Sequence, residues 1–266
     1  MILTEQELKL ANLDNLTRLW QAMGANSLML SPEHKGFLSR SWPYRFWHEQ
    51  AVAVPGREVS QPPGWLDHLA SLPVNTVIPV WPSLYDGHKS LEQALMDAGY
   101  MHSLELVAMA LTPGEDMGKG IGKGEQHHAA GGLRLTTCAS DDEIKRWSRI
   151  GSEAFGYEID FTVVQALAEN SDARVILAYE EGQVVATALL FHSSYKGAAI
   201  TGIHQLGVAA KYRGRGIARQ LMSLLLAQSA ADTDFFCLQA SAMGKGLYLS
   251  LGFKELFLLN NYRKKP

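Results

Sequence analysis

The sequence predicts an α/β fold in which a mixed β-sheet is flanked by helices. From residue 133 onward, apolar runs rich in β-branched residues alternate with segments whose apolar residues recur at helical spacing. Of the 266 residues, 47% are hydrophobic and 19% are charged, which is typical of a globular protein with a substantial core. Alternating strands and helices pack in layers, with the helices covering the sheet.

The region 133–209 predicts a strand, a helix, a hairpin and a further strand. LRLTTC (133–138) is the first strand. In SDDEIKRWSRIGSEAF, Ser140 precedes a helical pattern and Glu143 follows it by three residues, which is the spacing of a capping box. ARVILAYEEGQVVATALLFH contains two apolar runs joined by EEG and predicts a hairpin, and GAAITGIHQLGVA (197–209) predicts the next strand.

The rest of the chain predicts a helix, a strand, a short helix and a last strand. In GIARQLMSLLLAQSA, residues Ile217, Leu221 and Leu225 follow helical spacing and form one apolar face. DTDFFCLQAS is the next strand. AMGKGLYLSLGF predicts a short helix that ends at Gly252, and KELFLLNNYRK predicts the final strand.

The N-terminal half, residues 1–112, predicts helices in NLDNLTRLWQAMGA and PGWLDHLASL and strands in VNTVIPVW and LELVAMAL. It also contains a short internal repeat. The order helix–glycine–aromatic–strand occurs in SLEQALMDAGYMHSLELVAMAL and again in the C-terminal segment GLYLSLGFKELFLLNNY. Gly99 and Tyr100 align with Gly252 and Phe253. We interpret this half as a diverged copy of the C-terminal domain or as an accessory domain, since helix–glycine–strand joints are common.

The segment PGEDMGKGIGKGEQHHAAGG (113–132) separates the two halves. It is rich in glycine, lysine and histidine and has neither helical nor strand periodicity, so it predicts a flexible linker. It contains no Gly-x-x-x-x-Gly-Lys-Ser/Thr pattern, which argues against a nucleotide-binding loop. The predicted organisation is an N-terminal domain at 1–112, this linker, and a C-terminal domain at 133–266.

The stretch SRSWPYRFW (39–47) gathers aromatic residues around Arg45. These side chains form either a pocket for a ligand that carries a ring and a carboxylate, or a packed part of the core. Large aromatic side chains are mostly buried in folded proteins, which favours packing.

Charge and cysteine content argue against several functional classes. A formal net charge of −3 gives no basic field that would draw the chain to nucleic acid. The two cysteines, Cys138 and Cys237, lack the spacing of a metal or redox site, which predicts a reducing compartment and no metal. MILTEQELKLANLDNL lacks a signal-peptide pattern and no apolar run reaches membrane-spanning length, so we expect a cytoplasmic chain without a membrane partner.

The stretch KYRGRGIARQL (211–221) follows a predicted strand and opens a predicted helix. At such a position the first backbone N–H groups lack partners within the helix and carry the positive end of its dipole. Gly214 and Gly216 allow a sharp turn and a close approach to a ligand. Positive charge around them comes from Lys211, Arg213, Arg215 and Arg219. The stretch predicts a cradle for a pyrophosphate, and the alternative is a solvated basic turn.

Two motifs in this region resemble those of the GNAT superfamily of acetyl-CoA-dependent N-acetyltransferases. The run Arg213-Gly-Arg-Gly-Ile-Ala218 matches the phosphate loop Arg/Gln-x-x-Gly-x-Gly/Ala, although Ala210 stands where the family usually has proline. LQASAMGKGLYLSLGF (238–253) is similar to the later motif Leu-x-Ala-Ser-x-x-Gly-x-x-Leu-Tyr-x-x-Leu-Gly-Phe. The resemblance implies a GNAT-type mixed, mostly antiparallel sheet over residues 133–263, and a smaller α/β N-terminal domain as a degenerate repeat.

The resemblance also implies acetyl-CoA as co-substrate, without a metal. Its pantetheine amides would bind the backbone of the strand before the loop, and its diphosphate would bind the N–H groups of the loop and of the helix start. The residues assigned to acetyl-CoA in this way are Leu206, Gly207, Val208, Arg213, Gly214, Arg215, Gly216, Ile217, Ala218 and Arg219.

Two residues are candidates for proton transfer. Tyr248 stands where the family often places the acid that protonates the leaving thiolate, and a phenol with a pKa of about 10 is protonated at neutral pH. His204 is the only titratable side chain on the strand before the loop, so it is the candidate base. It matches one histidine of the arylalkylamine N-acetyltransferase branch, whose partner histidine corresponds to Gly202 here. For both residues, plain packing within the fold is the alternative.

The sequence therefore predicts an N-acetyltransferase that moves an acetyl group from acetyl-CoA to a primary amine by direct attack in a ternary complex. The amine belongs to a small molecule, a peptide or a protein. The alternative is a non-catalytic acyl-CoA-binding protein with a regulatory or assembly role. A homo-oligomer is compatible with the sequence, and a nucleic-acid partner is not expected.

Overall fold

The computed structural model describes residues 3–31, 34–48, 64–82, 84, 88–114 and 132–264. The chain divides into two compact units. The first unit comprises Met1–Leu3 with Ala110–Leu238, and the second comprises Thr4–Met109 with Gln239–Pro266. Most of the predicted linker, residues 115–131, lies outside the described residues, so the division of the chain at 113–132 stays a prediction.

Helices and strands follow one another closely along the described residues. Up to residue 114 they are, in order, α1 (Glu5–Ala22), β1 (Asn26–Ser31), β2 (His34–Leu38), β3 (Phe46–His48), a 3-10 helix (Gly64–Ser71), β4 (Val77–Val80), α2 (His88–Asp97) and β5 (Tyr100–Leu111). From residue 132 they are β6 (Arg134–Thr137), α3 (Asp141–Phe155), α4 (Phe161–Glu169), β7 (Ala173–Glu180), β8 (Gln183–Tyr195), β9 (Ala198–Val208), a 3-10 turn (Ala210–Tyr212), α5 (Ile217–Ser229), a second 3-10 turn (Ala230–Asp232), β10 (Phe235–Ala240), α6 (Ala242–Ser250) and β11 (Lys254–Lys264).

The first unit is built on β6 to β10, which lie in the order β10–β9–β8–β7–β6. The pairs β6–β7, β7–β8 and β8–β9 are antiparallel, and β9 and β10 are parallel. Helix α3 packs against α4 and β9, and α5 also contacts β9. The predicted class, a mixed and mostly antiparallel sheet flanked by helices, is therefore confirmed.

The second unit contains two groups of neighbouring strands. β1, β2 and β3 form an antiparallel sheet. β4, β11 and β5 lie side by side in that order, with β11 antiparallel to β4. Helix α1 begins at a capping box in which Thr4 and Glu7 bond each other's backbone N–H groups. No helix in the described part of the chain is long and apolar enough to cross a membrane.

The aromatic stretch at 39–47 packs into the core of the second unit. Its large buried side chains are Trp42, Phe46 and Trp47. Arg45 donates a hydrogen bond to the side-chain oxygen of Asn261, and its guanidinium lies 5.1 Å from the ring centroid of Trp20. These contacts favour the packing interpretation of this stretch over a ligand pocket.

The capping box predicted at the start of α3 is confirmed. The Ser140 hydroxyl accepts a hydrogen bond from the Glu143 N–H, and the Glu143 carboxylate accepts from the N–H groups of Ala139 and Ser140 at 2.9 and 3.2 Å. The Ala139 N–H, with the hydroxyl and N–H of Ser140, holds the pKa of Glu143 below its ordinary value of 4.5.

We expect two substitutions to test this cap. Ser140→Ala should lower the free energy of unfolding by about 1 kcal/mol, because the N–H of Glu143 loses its acceptor. Glu143→Gln should destabilise the protein at pH 7. That cost should shrink as the pH falls below 4.5, because a carboxylate with a lowered pKa loses its stabilising effect when it is protonated. Urea unfolding between pH 7 and pH 3 measures both effects.

Ser194→Ala serves as the control, because Ser194 is exposed on β8 and caps no helix. It should leave the free energy of unfolding nearly unchanged. A Glu143→Gln cost that stays constant from pH 7 to pH 3 would contradict a charged acceptor at this helix start.

Candidate functional site

The start of α5 is an open, glycine-lined helix end in the first unit. β9 ends at Val208, a 3-10 turn follows, and α5 begins at Ile217. Gly216 is the N-cap residue with φ of 77°, and Gly214 has φ of 76°, both in the left-handed region that favours glycine. Among the described residues, no atom lies within 4 Å of a Cβ built at either position, so these residues leave the space over both glycines open.

No side chain caps this helix, and its first turn carries no acidic residue. Both statements refer to the residues from 132 to 264, which the structure describes without a gap. N–H groups at a helix start need acceptors, and the dipole there favours an anion. The loop and helix residues predicted to hold the diphosphate, from Gly214 to Arg219, lie together at this helix start, and their part in binding stays a prediction.

Two arginines fix the loop in place. Arg213 donates from Nη2 to the Ala154 carbonyl at 2.8 Å and from Nε to the Val208 carbonyl at 3.2 Å, which fastens the loop to α3 and to the end of β9. Arg215 pairs through Nη2 with Glu180 Oε2 at 2.8 Å, at the end of β7. Both were predicted to bind the cofactor. The structure gives their guanidinium groups partners in the protein, which hold the loop in place, and their part in cofactor binding stays a prediction.

A cleft of about 640 Å³ lies beside the loop, lined by α3, the β7–β8 turn and the segment after β9. The three cationic side chains that line it are Arg146, Arg149 and Lys211. The carboxylate of Glu153 also lines the cleft. Glu153 accepts a hydrogen bond from the Ala210 N–H at 3.3 Å. Because positive charges outnumber negative ones among these residues, the electrostatic potential of the cleft is positive. This potential attracts anions to the region near the start of α5.

The edge of β9 opens before the strand ends. Its parallel pairing with β10 covers only Ile200–Gly202, and β9 continues to Val208. The Ala209 N–H donates to the Val185 carbonyl on β8 at 3.0 Å. Because N–H groups alternate between the two edges of a strand, the Val208 N–H points to the opposite, open edge. This is the segment, Leu206–Val208, that the sequence assigned to the pantetheine arm.

A β-bulge interrupts β9 within this open segment. Thr187 pairs with Gly207, but Leu189 pairs with His204, so β9 has one residue more than β8 between the two pairs. Gln205 has a φ of 48°, which is uncommon for a residue other than glycine. The Thr187 hydroxyl donates to the Gln205 carbonyl at 3.2 Å and helps to hold the bulge. No local pattern predicts this bulge, because it depends on pairing with β8.

Gly207 is required for packing at this bulge. A Cβ there would lie 2.8 Å from the Ala154 Cβ and 3.1 Å from Phe155 Cε2. Gly207 was predicted to bind the cofactor. The structure shows in addition that Gly207 contacts α3 so closely that only glycine fits there. Phe155, together with Tyr157, borders the open segment of β9 and was missed by the sequence analysis.

The candidate base, His204, lies on β9 next to the bulge. Its side chain is only 8% exposed, and it is paired with Leu189 across the sheet. His204 therefore lies on the same short segment of β9 as Leu206 and Val208. Its role in proton transfer stays a prediction.

The candidate acid, Tyr248, lies on α6 in the second unit. Burial raises the pKa of its phenol to about 12, so the group is protonated throughout the physiological pH range. Its ring stands edge-on to Phe253, with centroids 5.9 Å apart. A Cβ on Gly244 would lie 3.1 Å from Tyr248 Cε2, so the small residue one helical turn earlier leaves room for the ring.

Comparisons with known proteins find one family model and several solved structures that are similar to this chain. Residues 171–255 match a family model described as an acetyltransferase (GNAT) domain. A GCN5-related N-acetyltransferase from Kribbella flavida has a similar structure, with a TM-score of 0.65 and 18% sequence identity over 98% of this chain and 95% of that one. No curated protein matches the sequence.

Two further solved structures share the fold. One is a conserved protein of unknown function from Staphylococcus epidermidis, with a TM-score of 0.58 and 12% identity over 91% of this chain and 94% of that one. The other is a Drosophila protein, with a TM-score of 0.54 and 13% identity over 88% and 74% of the two chains. The match to the family model covers residues 171–255, less than half of the chain, and the similar solved structures show the fold.

The contact at Gly207 gives a prediction for stability. Gly207→Ala should lower the free energy of unfolding by about 1–3 kcal/mol, because its Cβ overlaps with the fixed Cβ of Ala154. Gly246→Ala on α6 is the control, since a Cβ there meets no atom within 4 Å and alanine favours a helix. Urea unfolding measures both variants. Equal stability of Gly207→Ala and the wild type would contradict the close packing of α3 on β9.

Proposed function

We propose that the protein is an N-acetyltransferase that transfers an acetyl group from acetyl-CoA to a primary amine by direct attack in a ternary complex. The observation that carries the proposal is the uncapped start of α5, with Gly214 and Gly216 at positive φ, directly after a strand whose edge is open. This feature lies within the residues that match the GNAT model. It suits a ligand that has a diphosphate at one end and an amide-bearing arm at the other.

The residues present fit acetyl-CoA at each point of contact. N–H groups from Gly214 to Arg219 would bind the diphosphate, and the space over both glycines leaves room for it. The open edge of β9 from Leu206 to Val208 would pair with the pantetheine amides as an added strand does. When bound, acetyl-CoA supplies the acetyl group as a thioester.

The chain's own groups would then act on the reacting atoms. An alkylammonium has a pKa of about 10.4, so the amine must lose a proton before it attacks. His204 accepts that proton directly or through a water molecule. The Val208 N–H, which points to the open edge of β9, donates to the thioester oxygen as negative charge develops there.

Tyr248 donates a proton to the sulfur as the carbon–sulfur bond breaks. This assignment is supported by its place in the second motif and by its protonated phenol. A pKa of about 12 also makes the phenol a weaker acid than free tyrosine. We therefore expect a contribution at the lower end of the range for general acids, about 10²-fold.

We also infer that residues 1–112 are a diverged copy without a cofactor loop. In the second unit, α2 leads through Gly99 to β5, as α6 leads through Gly252 to β11, and the two glycines have φ of 83° and 91°. Leu95 takes the position of Tyr248 in this alignment and is fully buried, so the copy lacks the acid. The buried free cysteines, Cys138 and Cys237, are compatible with the proposed cytoplasmic location.

The first prediction from the proposed function concerns the binding of CoA. Gly214→Asp should weaken CoA binding, measured by calorimetry, about tenfold or more, because it places a carboxylate beside the diphosphate. Gly197→Asp is the matched control, since Gly197 also has positive φ of 83° and open space but lies before β9. Gly214→Asn separates charge from backbone strain and should bind more tightly than Gly214→Asp. Unchanged binding by Gly214→Asp would place the diphosphate elsewhere.

The second prediction from the proposed function concerns the rate of acetyl transfer. With acetyl-CoA and a panel of primary amines, the wild-type protein should release CoA, and Tyr248→Phe should release it about 10²-fold more slowly. The dissociation constant of acetyl-CoA should change little. A wild-type protein that binds acetyl-CoA but acetylates no amine would be a non-catalytic binder, and the proposed activity would be wrong.

A further inference from the structure

We propose that the cleft beside the loop is a second anion site, which binds a small polyvalent oxyanion and thereby lowers the affinity of the loop for CoA. We call it the α3 cleft, after the helix that forms one of its walls. The site goes beyond the proposed function, which uses the start of α5 and the open edge of β9. Its existence does not depend on that function, whereas its effect on CoA does.

The α3 cleft has the size of a small-molecule site. Its volume of about 640 Å³ lies within the usual range of ligand pockets, roughly 300–1,000 Å³. One wall is α3 between residues 146 and 153, the second is the β7–β8 turn at residues 182–184, and the third is the segment 209–211. The described residues that line it do not include 214–219, so the cleft is distinct from the helix start proposed for the diphosphate.

Positive charge dominates the lining of the α3 cleft. Three cations, Arg146, Arg149 and Lys211, against one carboxylate, that of Glu153, give a net charge of +2. The two arginines are three residues apart on α3, so they lie on the same side of the helix. Guanidinium groups bind carboxylates and phosphates through paired hydrogen bonds. A polyvalent oxyanion therefore matches the α3 cleft in both charge and hydrogen-bond donors.

Acidic residues around the α3 cleft have partners or lie in solvent. The Glu143 carboxylate accepts hydrogen bonds from N–H groups at the start of α3, where the helix dipole is positive. Glu180 pairs with Arg215 at 2.8 Å. Glu181 adjoins the cleft in the β7–β8 turn, but its side chain is exposed to solvent, which screens its charge. Among the described residues, Glu153 is thus the carboxylate that a bound anion would face.

Contacts at the end of the α3 cleft connect it to the loop before α5. Glu153 accepts a hydrogen bond from the Ala210 N–H at 3.3 Å. The ammonium of Lys211 lies 4.7 Å from the ring centroid of Tyr212, and the guanidinium of Arg215 lies 5.5 Å from the same centroid. A cation of the cleft and a cation of the loop therefore share one ring.

The effect on CoA follows from electrostatics. An anion that neutralises the α3 cleft lowers the positive potential near the start of α5, so the diphosphate of CoA should bind less tightly there. By linkage, CoA should weaken the binding of the anion by the same factor.

Calorimetry at low ionic strength with citrate and with inorganic phosphate tests the site. Citrate represents carboxylate effectors and phosphate represents phosphorylated ones, so the tighter of the two identifies the class. Arg149→Gln should weaken the binding of that anion about tenfold, because it removes a charged donor. Lys145→Gln is the matched control, since it removes an exposed cation of α3 that does not line the cleft, and it should change binding less than about twofold. Equal losses in the two variants, or no binding of either anion by the wild-type protein, would overturn the site.

A gain of affinity separates recognition from folding. Glu153→Gln should bind the same anion about threefold more tightly, because it removes a like charge and keeps an oxygen that can accept from the Ala210 N–H. A damaged fold cannot produce such a gain. Unchanged or weaker binding by Glu153→Gln would contradict a site beside this carboxylate.

Titration of CoA with increasing concentrations of the anion tests the effect on the loop. The affinity for CoA should fall about two- to fivefold and then reach a plateau, since both ligands bind at once. A fall without a plateau means that the anion and CoA compete for one place, which refutes the second site. A loss of CoA binding in Arg149→Gln that is absent with dephospho-CoA assigns the cleft to the 3′-phosphate of CoA and also refutes the proposal.

Failure of this site and failure of the proposed function give different results. Binding of citrate or phosphate that depends on Arg149, in a protein that binds no CoA, keeps the site and refutes the proposed function. Acetylation of amines by a protein that binds neither anion keeps the function and refutes the site. Anion binding that leaves the affinity for CoA unchanged refutes the effect on the loop and keeps the site.

Discussion

The bulge in β9 is the constraint on which the candidate site depends. Beyond Gly202 the strand leaves β10, and the extra residue at Gln205 lets it remain paired with β8 while the rest of its edge stays open. A buried edge would have to satisfy its backbone groups, and an open one is available to a ligand. Gly207 completes the arrangement, because only a residue without a Cβ lets α3 lie directly on the strand.

The loop after β9 has an unusual backbone conformation and is held in a fixed position. Its two glycines adopt left-handed backbone that other residues rarely adopt. Arg213 and Arg215 hold the loop through the Ala154 carbonyl and the Glu180 carboxylate. A preorganised helix end of this kind can bind an anion with little cost for ordering the loop.

Local patterns in the sequence predicted local features of the structure well. The capping box at Ser140, the start of α5 and the alternation of strands with helices all follow from neighbouring residues. The contact of Phe155 with Gly207 and the bond from Tyr157 to Gln205 join residues about 50 positions apart, and the bond that helps to hold the bulge joins Thr187 to Gln205, 18 positions apart. They depend on strand register and on how α3 sits, so no single stretch of sequence encodes them. The helical pattern at Gly64–Ser71 forms a 3-10 helix instead, a difference in hydrogen bonding that apolar spacing does not resolve.

The ion pair between Arg215 and Glu180 has a consequence for how this chain tolerates change. Hairpin turns are normally the most permissive places in a sheet, where residues are gained or lost during evolution at small cost. Here the β7–β8 turn directly follows the carboxylate that steadies the loop before α5. An insertion after Glu180 would shift that carboxylate. The ion pair with Arg215 would then weaken, and the loop before α5 would lose this support. The length of this turn is thus restricted by the geometry of a neighbouring loop as well as by its own strands.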